Sequence, residues 1–75
     1  MKQVLELVAK SLVDNPDAVT VTEVNGEDGV VLELRVAEGD MGKVIGRQGR
    51  IAKAIRTVVK AAANRENKRV SVEII

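Results

Sequence analysis

Between Val44 and Ile51 the chain reads Val-Ile-Gly-Arg-Gln-Gly-Arg-Ile, so that Gly46 and Gly49 bracket two polar side chains, Arg47 and Gln48. Glycines at this spacing let a backbone turn sharply and approach a bulky ligand with no Cβ between them. Lys43 precedes the turn, and Arg50 and Lys53 follow it. Every charged residue from Lys43 to Arg65 is basic, leaving these cations without acidic neighbours along a helix. A helix starting near Gly49 would add its free N–H groups and the positive end of its dipole. The chemistry expected is the holding of an anion, with phosphate the natural occupant. The candidate set is Lys43, Gly46, Arg47, Gln48, Gly49, Arg50 and Lys53.

Other chemistries have little to work with. Histidine and cysteine are both absent, which removes the commonest general base, the commonest transition-metal ligands and any disulfide. The glycines are not followed by the Gly-Lys-Ser or Gly-Lys-Thr of a P-loop. No catalytic activity, metal, cofactor or small-molecule substrate is expected. The first residues enter an amphipathic pattern instead of an apolar run, and there is no stretch to span a membrane. A cytoplasmic location without membrane insertion is expected.

The net charge of +1 conceals an asymmetry. Residues 1–40 carry three basic and nine acidic side chains, net −6, whereas residues 41–75 carry nine basic and two acidic, net +7. A polyanion would therefore meet the second part.

The elements that must position the candidate set follow from periodicity. Val4, Leu5, Val8 and Leu12 make one helical stripe over residues 2–13, with Leu7 and Val13 at its margins as surface residues or partner contacts. Asp14, Asn15 and Pro16 end it. Residues 19–24 and 30–36 have the composition and alternation of strands, and the intervening residues 25–29 supply a hairpin turn. Asp40 is placed to cap a short helix reaching Ile45, which Gly46 stops. A longer helix from Gly49 to about Ala63 puts Ile51, Ile55, Val58, Val59 and Ala62 on a packing side, with Arg50, Lys53, Arg56 and Lys60 opposite. Residues 70–74 alternate as a last strand. Arg65, Lys68 and Arg69 offset the long helix's dipole. The order helix-strand-strand-helix-helix-strand predicts an α+β fold, a three-stranded sheet with helices packed on one face. With 75 residues and no aromatic side chain, one domain over residues 1–75 with a thin aliphatic core is expected.

Paired apolar residues before the glycines, an apolar residue two positions after them and this element order resemble the KH signature in its type II arrangement. The resemblance covers essentially the whole chain. In its length and opening amphipathic helix the chain is similar to the bacterial KhpA-type family of small KH proteins. The resemblance implies binding of about four nucleotides of single-stranded RNA, their backbone clamped by the Gly-x-x-Gly loop. It implies that Arg47 and Gln48 face phosphates and that Lys43 and Arg50 add charge nearby, while Lys53, Arg56 and Lys60 run away from the loop and either lengthen the phosphate track or keep the helix soluble. The opposite groove wall is expected from residues 30–36 and the turn at 25–29, and Val44 and Ile45 as core or base contacts. It also implies a partner, a second copy or a KhpB (Jag)-type KH protein, and a post-transcriptional role. Two alternatives stay open: a helix-turn-helix-like binder of duplex DNA, with residues 49–63 as recognition helix, and a dimerisation or adaptor module.

Overall fold

The computed structural model describes all residues, 1–75. Its elements are α1 (Lys2–Leu12), β1 (Thr20–Gly26), β2 (Gly29–Arg35), α2 (Met41–Ile45), α3 (Arg50–Arg65) and β3 (Val70–Ile74), with short 3-10 turns at Pro16–Ala18, Glu38–Asp40 and Arg47–Gly49. This is the expected α+β order. The sheet runs β1-β2-β3, with β1 and β2 antiparallel and β2 and β3 parallel. A parallel pair needs a long connection, and α2 with α3 supplies it.

The alternation in β2 points Leu32 and Leu34 toward the helices, where both are fully buried beside Val21 of β1 and Val72 of β3. Leu5 and Ala9 of α1, Val44 of α2, and Ile55 and Val59 of α3 cover them. Membership of α3's packing face differs from expectation. Ala52 and Ala63 are buried, while Val58 stands 52% exposed. Small side chains let α3 lie close on the sheet, and the larger Val58 then turns along its flank.

The hairpin is tighter than expected. Asn25, Gly26 and Gly29 belong to the strands, and Gly26 pairs with Gly29 around Glu27 and Asp28. Only Gly29 takes a positive φ, +139°. A Cβ there would lie 2.5 Å from the Arg69 carbonyl oxygen, the group that accepts the Val30 N–H at 2.9 Å.

Candidate nucleic-acid interface

Helix α2 ends where Gly46 donates its N–H to the Gly42 carbonyl at 2.8 Å and turns out with φ +75° and ψ 176°. Only glycine adopts that conformation at little cost. A Cβ on Gly46 would also sit 2.6 Å from Cγ1 of Ile51. Gly46 thus serves the packing of α2 against the first turn of α3, while the space around Gly49 (φ +71°) is open. Between them Gln48 holds a left-handed conformation, φ 56° and ψ 24°, which costs a non-glycine residue about 1–2 kcal/mol. Arg47, Gln48 and Arg50 are exposed, and the Arg50 Nη2 donates to Gln48 Oε1 at 3.4 Å. The result is a surface loop at the N-terminus of α3 with two polar side chains at its tip.

Helix α3 has three sides. One packs on the sheet, and a second faces α1. The third carries exposed Lys53, Arg56 and Lys60 and lies toward β3, because Arg56 Nε donates to the Val72 carbonyl at 3.2 Å. Strand β3 is one of the two edge strands of the sheet. Arg69 O and Ile75 N bond to β2, and the alternation of a parallel ladder then leaves the main-chain groups of Val70, Val72 and Ile74 facing outward. Arg56 therefore satisfies part of a free sheet edge, a role the sequence did not suggest.

The sheet order and burial locate the residues expected to flank the loop. The strand after the hairpin, β2, is central, both its edges are used by neighbours, and Leu32 and Leu34 are core. The strand with a free edge beside α3 is β3. Of the apolar pair before the loop, Val44 is fully buried and Ile45 is 36% exposed.

Lys43 and Asp40 also differ from expectation. Asp40 makes no cap bond within its own helix. It is 4% exposed, and its carboxylate accepts the N–H of Asn15 at 3.0 Å and of Asp14 at 3.3 Å. Lys43 Nζ lies 3.4 Å from Asp40 Oδ1 and forms a close ion pair with Asp14 Oδ2. The Lys43 charge is thus already engaged by two carboxylates distant or hidden in the sequence pattern, so it is not a free cation beside the loop. Burial pushes the Asp40 carboxyl up, but the two backbone donors and Lys43 outweigh this and hold it below its ordinary value. The hydrogen bond to Asp14 raises the Lys43 ammonium above its own, against a smaller opposing effect of burial.

The glycine loop opening the longest helix, the exposed basic flank and the sheet order match one family, whose model, "KhpA/KhpB, KH domain", covers residues 2–74. The chain belongs to the KhpA/KhpB KH-domain family. It is 73% identical to a protein named RNA-binding protein KhpA of Clostridium acetobutylicum and 68% identical to that of Clostridium perfringens, in both cases over 75 residues and the whole of both chains. The protein of that name from Aquifex aeolicus is 55% identical over all of this chain and 95% of its own. No solved structure matches the chain. As a KhpA-type KH domain the chain is a binding module and not an enzyme. No helix is long and apolar enough to cross a membrane.

Proposed function

We propose that residues 1–75 act as one KH unit that grips the backbone of a short single-stranded RNA segment at the Gly46-Arg47-Gln48-Gly49 loop. The observation that carries this reading is the loop itself: Gln48 and Gly49 are left-handed, and exposed Arg47 and Gln48 stand at the N-terminus of α3. The loop stands at the positive end of the α3 dipole, with Arg50 N–H bonded to Arg47 O. Arg50 and Lys53 extend the positive surface, and Lys43 joins it only by exchanging a carboxylate for a phosphate. No aromatic ring is present, so stacking of bases on aromatic side chains, worth about 1–3 kcal/mol per base, contributes nothing. Binding is accordingly weak at one site and sensitive to salt. The relatives' names as RNA-binding proteins support the choice of RNA.

A partner fits the same reading. An apolar groove of about 320 Å³ runs between α1 and α3, bordered by Val4, Leu12, Ala54 and Val58 with Arg50 its one charged lining residue, and Leu7 of α1 is 68% exposed. A second copy of the chain or a KhpB (Jag)-type KH protein would cover it, and linked sites would offset weak single-site affinity. Such an assembly suits post-transcriptional regulation.

The test is the double variant Arg47→Asp with Gln48→Asp, which adds two negative charges to side chains that no core contact uses. Loss of binding to mixed short single-stranded RNAs, with the circular dichroism spectrum unchanged, supports the loop as the grip. Unchanged RNA binding, or a preference for duplex DNA, sinks it.

A further inference from the structure

At the opposite end of α3 from the glycine loop, the hairpin tip, the last turns of α3 and the start of β3 enclose a cleft of about 610 Å³. Lys60, Lys68 and Arg69 line one side, and Glu27 and Asp28 stand on the hairpin. Three cations and two carboxylates share this cleft, yet none of the cations pairs with Glu27 or Asp28, and Lys68 reaches only Glu66, at 4.0 Å. The cleft is wide enough to keep opposite charges apart, which leaves its cationic wall free for an outside anion.

That wall is also held in place. Asn67 takes φ +57° and ends α3, while Lys68 N–H bonds Ala63 O at 2.9 Å. The Arg69 main chain is clamped against Gly29, where a side chain would collide, and bonded to Val30. Cations on a fixed backbone lose less freedom when they bind. Lys60 belongs both to this cleft and to the exposed flank of α3. By helical rise it lies about 15 Å along the axis from Arg50, so the flank connects the two ends.

We propose that this cleft is a second phosphate-contact site, occupied by the same RNA strand beyond the segment gripped at the glycine loop. The inference rests on the proposed RNA binding and adds to it a length requirement. Lys60, Lys68 and Arg69 take the phosphate, and Glu27 and Asp28 confine it to the α3 and β3 wall by repulsion. Lys68 and Arg69 would then do more than offset the helix dipole.

The experiment measures binding of single-stranded RNA tetramers and decamers to the wild type, to Lys68→Gln with Arg69→Gln, and to Arg47→Asp with Gln48→Asp, at several salt concentrations. The expected result is that the glutamine variant binds tetramers as the wild type does but binds decamers several-fold more weakly. Its salt slope on decamers should fall by about 1.4, two cations at ~0.7 each. Neutralising the repulsion with Glu27→Gln and Asp28→Asn should strengthen decamer binding only. Equal decamer binding by the wild type and the Lys68/Arg69 variant overturns the second site while leaving the loop reading intact, provided the loop variant loses both lengths. Equal loss on both lengths also overturns it, because the cleft would then belong to the primary grip. A wild type that binds neither length overturns the RNA reading and this inference together.

Discussion

Two backbone N–H groups from the turn after α1 and an ammonium from α2 converge on the carboxylate of Asp40. Its folded pKa lies below the ordinary value near 3.8, so the stability it contributes is present above that pH and is lost as pH falls through the depressed value. Asp40→Asn should lower Tm at pH 7, and the gap from the wild type should narrow below about pH 4, as a thermal melt series would read. Lys43 has the opposite sign. Its raised pKa gives a contribution fully present at neutral pH and lost only as pH rises through a value above the ordinary one. Gly46 is the other residue whose identity is dictated by position. Gly46→Ala meets both a glycine-only conformation and Ile51, and should cost about 3 kcal/mol in urea unfolding. In a chain of this size that is a large share of the total. The pattern of glycines around Arg47 and Gln48 was visible in the sequence. That the first glycine is required by packing, and that Asp40 reaches across to the turn after α1, was not, because both depend on residues brought together by the fold.

Helix α3 does three jobs with three faces, and substitutions on its basic face should separate accordingly. Arg56 is held at the edge of β3 by its bond to Val72. Arg56→Ala should therefore cost about 1 kcal/mol of stability, measured by chemical unfolding. Lys53→Ala makes no such sacrifice, since Lys53 has no ion pair or side-chain hydrogen bond. Its effect should appear as a salt slope of RNA binding reduced by about 0.7, with Tm nearly unchanged. A helical repeat of Arg50, Lys53, Arg56 and Lys60 cannot distinguish these roles, because it records the azimuth of a side chain and not its neighbour. The periodicity did place α1, β2, α3 and β3, and on α3 it missed that Ala52 and Ala63 pack while Val58 stays exposed.

Across the whole molecule the apolar groove between α1 and α3 lies on a different side of α3 from Lys53, Arg56 and Lys60, and the two surfaces share Arg50, which lines the groove beside the glycine loop. Val58→Lys puts a charge into the groove border without touching the core, since Val58 is half exposed. The variant should sediment as a smaller species than the wild type at the same concentration and still bind short RNA. Loss of short-RNA binding with the monomer folded would mean that pairing is required for the grip.

The amino-acid order alone determined the α+β architecture, the glycine loop between two helices and the concentration of positive charge after residue 40. Each of these is written in local terms: side-chain period, turn residues and the sign of successive charges. Tertiary structure alone decided that β2 is central with β1 and β3 at the edges, that Lys43 is paired and Arg56 braces an edge, and that Lys60, Lys68 and Arg69 share a cleft with the hairpin. Strand order and ion pairing join residues far apart in the chain, and a pairing of that kind depends on how the parallel crossover closes rather than on any local preference.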